Sequence, residues 1–458
     1  MKNAISRRNA IKGFGAAIVA GNYLFNSDKS YAQTLVLTKK EYRIPGVPVT
    51  CIVIGAGNRG QTYAGYAAEH SAEIKIVGVA EPIALRREAM AQKYNIKPVH
   101  CFTSWEEVFS IPRFADAVII ATPDRLHYGP YMKACEKGYH IMVEKPMATS
   151  EQECIAMVEA KQKANVMVVV CHVLRYTPYF IKVRELCASG ILGNLVTVQH
   201  LEPIGYWHMA HSYVRGNWRD SNASSPIILA KSSHDLDIIS WITGKRCKTV
   251  EALGSLRLFK PENAPPGSTK RCTDKCPAEK DCPYSALKLY MDMNRTGWPV
   301  SVITDDMSYD GRLKALTEGP YGRCVYRCDN NQPDNIVVNM NYEDNLTVSF
   351  TMSAFTKSVG DRKTCVMGTA GELTGDMHTI ALTDFRNGKT ETIDTGAGSV
   401  TAGSGHGGGD YGLVRDFVQA IAFNDSSFIL SGIEDSLESH ILAFRIEESR
   451  IKKQVMKV

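Results

Sequence analysis

Residues 49 to 60, Val-Thr-Cys-Ile-Val-Ile-Gly-Ala-Gly-Asn-Arg-Gly, carry an apolar strand straight into three glycines at G-x-G-x-x-G spacing. Such a stretch opens a strand-turn-helix unit. Gly55 permits the sharp turn, Gly57 lets the backbone approach a pyrophosphate, and Gly60 lets the following helix pack closely on the strand. The amides of Asn58 and Arg59 at the start of that helix then face the anion. A second apolar run, Ile74 to Ala80, ends at Glu81, 21 residues beyond Gly60. A carboxylate there accepts both ribose hydroxyls of NAD and repels the extra phosphate of NADP, so the expected cofactor is NAD.

Ahead of this unit, Ser6-Arg7-Arg8 with Lys12, a short apolar segment Gly13 to Phe25, and Ser30-Tyr31-Ala32 before Gln33 read as a twin-arginine export signal over residues 1–32. The apolar segment is too short to anchor the chain in a bilayer. A periplasmic or exported protein without a membrane span is therefore expected. The remaining residues exceed one core and predict two domains. From Val49 to about Val170, apolar runs alternate with helical stretches, the pattern of an α/β Rossmann domain with a parallel sheet over 33–172. The runs at Ala117–Ile120 and His140–Val143 end in Ala121-Thr122-Pro123-Asp124 and Glu144-Lys145-Pro146, so Thr122, Lys145 and Gly55 should converge where such sheets bind ligands. Strand patterns then dominate, at 195–201, 249–259, 336–341, 347–352, 364–367 and 379–384, which predicts an α+β domain with a largely antiparallel open sheet over 173–458. Two helices should close the chain, one near Tyr411–Ala422 and one started by a capping box of Ser431 and Glu434. The glycine-rich residues 398–412 read as a linker or a substrate lid. A formal charge of +5 without a basic, aromatic-interleaved run argues against nucleic acid.

Gly55-Ala56-Gly57-Asn58-Arg59-Gly60, Ala121-Thr122-Pro123-Asp124 with His127, and Glu144-Lys145-Pro146 together resemble the family of glucose-fructose oxidoreductase, inositol dehydrogenase and the rhizopine catabolism protein (Gfo/Idh/MocA). The resemblance implies NAD or NADP in the Rossmann domain, Lys145 working at the reacting carbon, a cis bond before Pro146, and Arg175 near the nicotinamide. Chemically, burial and a cationic ring would both lower the Lys145 pKa, so its amine can exchange a proton near neutrality. The family's second signature has an Asp, a His four residues on and an Asp three further. His234 and Asp237 match it, but Ala230 stands at the first position with Lys231 beside it. That departure implies a different substrate or proton route; His234 is the second candidate acid or base.

Residues 202–219 hold Tyr206, His208, His211 and Tyr213 among two tryptophans and two arginines. Flat faces with polar tips suit a carbohydrate, or a subunit interface, and a homo-oligomer is expected. Cys272, Cys276 and Cys282, with the later Cys324 and Cys328, suit a structural zinc or disulfides. Two activities fit these residues. One is an NAD-dependent oxidoreductase acting on a sugar, sugar acid or polyol with a tightly bound cofactor. The other is a redox-neutral glycoside hydrolase of the same superfamily, in which oxidation, elimination, hydration and re-reduction succeed one another and Tyr206, His208, His211 or Tyr213 is the base.

Overall fold

The computed structural model describes residues 40–396 and 406–458, which belong to one compact unit. The expected export signal at 1–32 and residues 398–405 of the glycine-rich stretch lie outside the described residues.

Six strands form a parallel sheet: β1 Val49–Ile54, β2 Ile74–Ala80, β3 Cys101–Phe102, β4 Ala117–Ile120, β5 His140–Val143 and β6 Val168–Val170, in the order β3-β2-β1-β4-β5-β6. The central strands are buried on both faces, which is why they read as unbroken apolar runs rather than as alternation. Their register aligns the strand ends. Ile54 pairs with Ala80 and with Ile120, Ile120 with Val143, and Val143 with Val170. Five strands thus end level, and the residues immediately after them, Gly55, Glu81, Ala121, Glu144 and Cys171, share one edge.

A second sheet has nine strands: β7 Leu195–Pro203, β8 Cys247–Ser255, β9 Asn335–Tyr342, β10 Thr347–Ser353, β11 Lys363–Gly368, β12 Gly371–Gly375, β13 Thr379–Asp384, β14 Lys389–Asp394 and β15 Met456–Lys457. Their order is β14-β13-β12-β11-β7-β10-β9-β8-β15, and every pairing is antiparallel except β7 with β10. β9 and β10 alternate buried and accessible residues, as a sheet with one covered face must. β8 ends at Ser255, short of the predicted Phe259, because the Asp334 carboxylate accepts the amides of Arg257 and Leu258 and turns the chain away. The residues between β8 and β9 form an insert with its own small core of Ala286, Tyr290, Val300, Leu316 and Tyr321.

The closing helices return to the first sheet, across the boundary expected at 172. Helix Gly409–Phe423 packs Leu413, Val414, Phe417 and Val418 on one face with Val49, Cys51 and Val53. Helix Ile433–Lys452 packs Ile433, Leu437 and Ile441 on the other with Ile52, Ile54 and Val118. The capping box does not form. Gly432 is the N-cap, and the Ser431 hydroxyl instead donates to Val170 O at 2.6 Å, extending the edge of β6. No helix of the described residues is long and apolar enough to cross a membrane.

Candidate active site at the level strand ends

Each glycine of the turn answers to a different neighbour. Gly55 has φ +95°, and a Cβ there would lie 2.6 Å from Ala121 O. A Cβ at Gly60 would lie 2.0 Å from Gly55 O. Gly57 is different: nothing lies within 4 Å of the position its Cβ would occupy. Packing does not require a glycine at 57, so the space it leaves is a cradle. Helix Asn58–Glu69 begins at this cradle with no capping side chain and no acid in its first turn, leaving its first amides to an outside anion. The Glu81 carboxylate accepts the amides of Ala56 at 2.8 Å and Ile83 at 3.0 Å, which sets it beside the turn. A dinucleotide fits these residues: pyrophosphate at the amides of the helix start, ribose at Glu81. Gly57→Ala is expected to change thermal stability by no more than about 1 kcal/mol, since φ −72° suits alanine. The same substitution should weaken dinucleotide binding at least tenfold, about 1.4 kcal/mol, in a titration followed by nicotinamide fluorescence.

Beyond β5, Glu144 is clamped. Its carboxylate takes Arg59 Nε and the Tyr63 hydroxyl, each at 2.6 Å, and Arg59 also meets Asp410 at 2.6 Å. The Lys145 amide donates to Glu144 at 2.9 Å, and the Lys145–Pro146 peptide is cis. Lys145 Nζ then reaches Ala230 O at 2.6 Å. Burial pushes the ammonium pKa below that of a free lysine, against the opposing pull of Glu144 and Asp124. His127 bridges Pro146 O at 2.7 Å and Thr122 O at 2.8 Å, so it fastens the β4 and β5 loops together rather than offering a free nitrogen to a cofactor. The Thr122 hydroxyl donates to Leu126 O at 3.1 Å, closing the turn that Pro123 opens.

His234 begins helix Ser233–Thr243 and stands between His172 and His406, ring centroids 5.8 and 5.9 Å away. Its Nδ1 is buried without a partner. Burial, then the Lys145 ammonium and His172, hold its pKa well below the ordinary value, so the imidazole is neutral. Arg175 is placed deeper than expected. Its guanidinium, 1 % exposed, grips both oxygens of Asp237 at 2.7 Å and donates to Leu430 O. It reaches the site through Asp237, which lies 2.7 Å from His172 Nδ1, and not as an open contact for a ring.

Lys231, next to Ala230, directs its amine to Glu202 at 3.8 Å. Glu202 also takes the Ser232 hydroxyl at 2.7 Å and Arg362 at 3.2 Å, and Arg362 continues to Asp235 at 2.9 Å. His208 is buried nearby, its pKa driven well down by burial and then by Lys231 and His211. The remaining aromatic candidates scatter. Tyr206 is 36 % exposed and packs near Tyr284, while Tyr213 is buried between His208 and Trp218. His211 turns to the insert, bonding the Tyr290 hydroxyl at 2.8 Å and stacking on Tyr321.

All thirteen cysteines are unpaired thiols, and Cys272, Cys276, Cys282 and Cys324 line one cavity of the insert. Among the described residues no three metal-ligating side chains gather to hold an ion. Sequence reasoning missed Arg362, and did not single out Glu202 or Asp410 within the stretches 202–219 and 398–412 that it marked. Glu202 and Arg362 lie 160 residues apart and carry no local signal, whereas His406 and Asp410, four apart, were a legible pair.

Two family models match the chain: the oxidoreductase family with an NAD-binding Rossmann fold over residues 49–172, and its C-terminal alpha/beta domain over 184–457. YteT, a putative oxidoreductase of Bacillus subtilis, is 24 % identical over 345 residues, covering 69 % of this chain and 78 % of its own. Inositol 2-dehydrogenase of Corynebacterium glutamicum is 28 % identical over 202 residues, 43 % of this chain and 55 % of its own. The 2,7-anhydro-N-acetylneuraminate hydratase of Escherichia coli is 29 % identical over 142 residues, 31 % of this chain and 37 % of its own. The chain thus spans only part of the latter two. Among solved structures, levoglucosan dehydrogenase with NADH and L-sorbose superposes with a TM-score of 0.67 at 18 % identity, covering 90 % of this chain and 99 % of its own.

Proposed function

The chain belongs to the NAD-binding Gfo/Idh/MocA oxidoreductase family, and on that premise we propose that it oxidises a secondary hydroxyl of a carbohydrate beside Lys145. The observation that carries this reading is the Lys145 amine, buried and depressed in pKa, at the same strand edge as the dinucleotide cradle. NAD, when bound, supplies the hydride acceptor. The chain's residues handle the proton. Lys145 Nζ, held by the Ala230 carbonyl, takes the hydroxyl proton as the C–H bond opens. The neutral His234, with its unpartnered nitrogen, is the second group able to share that proton. Sugars and polyols are the substrate class, in line with the activities that name inositol 2-dehydrogenase and levoglucosan dehydrogenase.

The redox-neutral glycosidase is kept as a second reading because one relative is an anhydro-sugar hydratase. Tyr206, His208, His211 and Tyr213 remain the candidate bases for this reading, and of these His208 feels the Lys231 and Lys145 charges. Export by the twin-arginine signal, a cofactor that does not leave between turnovers, and a homo-oligomer complete the proposal. An exported enzyme without a nicotinamide pool must reset its cofactor in place.

The test uses the purified protein with no added dinucleotide. Native mass spectrometry should find NAD bound, and free sugars should reduce that bound NAD in a single turnover, read as a rise in absorbance at about 340 nm. Nitrophenol release from nitrophenyl glycosides without net NADH would transfer the assignment to the glycosidase. A protein that neither carries nor takes up NAD would overturn both.

A further inference from the structure

Buried cations and anions are interleaved at the Lys145 end of the site, and the two lysines are the least tightly held of the cations. Lys145 Nζ has a carbonyl oxygen, Ala230 O, as its hydrogen-bond partner, while Glu144 is engaged by Arg59, Tyr63 and the Lys145 backbone amide. Lys231 and Arg362 add two further positive charges against the carboxylates of Glu202 and Asp235. Glu202 is divided among Ser232, Arg362 and Lys231, and Asp235 between Arg362 and His200, so neither acid is reserved for a lysine. The Lys231 amine lies 3.8 Å from Glu202, beyond direct hydrogen-bond length, on a side chain that keeps 14 % of its surface accessible. The neighbouring histidines His208 and His234 are held toward the neutral form, burial being the first cause for each. An oxidised nicotinamide brings one more positive charge to the same place.

We infer that Lys231 makes this site select carbohydrates that carry a carboxylate, uronic acids in particular, with the substrate carboxylate seated against the Lys231 amine and the reacting hydroxyl against Lys145. This rests on the proposed sugar oxidation at Lys145 and narrows its substrate class. A carboxylate ion-paired with the largely buried Lys231 amine gains a charge-assisted hydrogen bond that a neutral hydroxymethyl cannot make. The Glu202 carboxylate would share Lys231 with the substrate, a geometry in which one ammonium donates to two acceptors.

The experiment compares the isolated holoprotein on matched series: a uronic acid, its uronamide and the parent sugar, in gluco, galacto and manno configurations, both free and as nitrophenyl glycosides. In at least one series kcat/KM for the acid should exceed that for the uronamide by roughly 10- to 100-fold, the worth of one charge-assisted bond. The preference should shrink as salt is raised and collapse toward unity in Lys231→Met, while Lys231→Arg keeps part of it. Activity on parent sugars equal to or above that on the acids in every series overturns this inference and leaves the oxidation at Lys145 standing. An acid preference that survives in a folded Lys231→Met protein, judged by its melting curve and retained dinucleotide, also overturns it. No turnover of any sugar by a protein loaded with NAD overturns the reading of the site itself.

Discussion

Lys145→Ala is expected to lower kcat/KM on the protein's carbohydrate by roughly 10²- to 10⁴-fold, the usual worth of a positioned proton acceptor. The loss should fall on kcat, because the amine works when the O–H bond breaks and contributes little to holding the ground state. The geometry supports this separation. The dinucleotide cradle is built from Gly55, Gly57, Gly60 and Glu81, none of which touches Lys145, so cofactor occupancy should stay near that of the parent protein. Among the described residues the amine's hydrogen bond is to Ala230 O, and its removal leaves a carbonyl that a water can serve. Added small primary amines should restore part of the rate, since the space for the ammonium remains. The measurement is steady-state kinetics with a parallel mass spectrum for bound NAD. A variant within threefold of the parent rate would remove Lys145 from the reaction.

Asp237→Ala should cost about 3–5 kcal/mol of folding stability, read as a lower denaturation midpoint in guanidinium. Asp237 is buried, with Arg175 donating to both its oxygens at 2.7 Å and His172 at the same distance. Alanine takes the carboxylate away and leaves the Arg175 guanidinium in a site closed to water. The pH dependence has a definite sign. Burial alone would raise this carboxyl, but Arg175 and then His172 outweigh it and hold the folded pKa at about 2, below the 3.8 of an unperturbed Asp. The group therefore stabilises the fold above pH 4, and the contribution, about 2 kcal/mol, is lost as pH falls from 4 toward 2. Asp237→Ala should flatten that part of the acid limb, with circular dichroism against pH as the readout. A stability change below 1 kcal/mol would mean that the pair carries no net stabilisation.

Strands β1, β2, β4 and β5 of the first sheet were legible because they are short, mostly apolar and closely followed by a residue with a job, Gly55, Glu81, Thr122 and Lys145, whereas the two residues of β3 carry no pattern. Doubly buried strands leave no ambiguity of face, and the strand order comes with the fold class. The second sheet was legible only where β-branched and apolar residues alternate. β12, Gly371–Gly375, and β14, Lys389–Asp394, escaped notice because glycine, glutamate and lysine weaken the pattern and hairpin pairing to β13 supplies what propensity does not. At the site, motif residues on one strand edge were found, since spacing alone places them. The pairing of Arg175 with Asp237 and of Arg362 with Glu202 was invisible: partners 60 to 160 residues away decide what a buried arginine grips, and one sequence holds no record of them. His211 went the same way, drawn to Tyr290 of an insert whose packing the pattern of residues 202–219 does not announce.

The helices at 409–423 and 433–452 each lid one side of the six-stranded sheet that the first third of the chain supplies. A growing polypeptide that has emerged only through β14 therefore displays two uncovered oily surfaces and lacks Asp410, the anchor of Arg59. The nucleotide side of the fold is therefore completed only by these two helices, and C-terminal truncations should loosen coenzyme binding together with the β15–β8 edge of the second sheet.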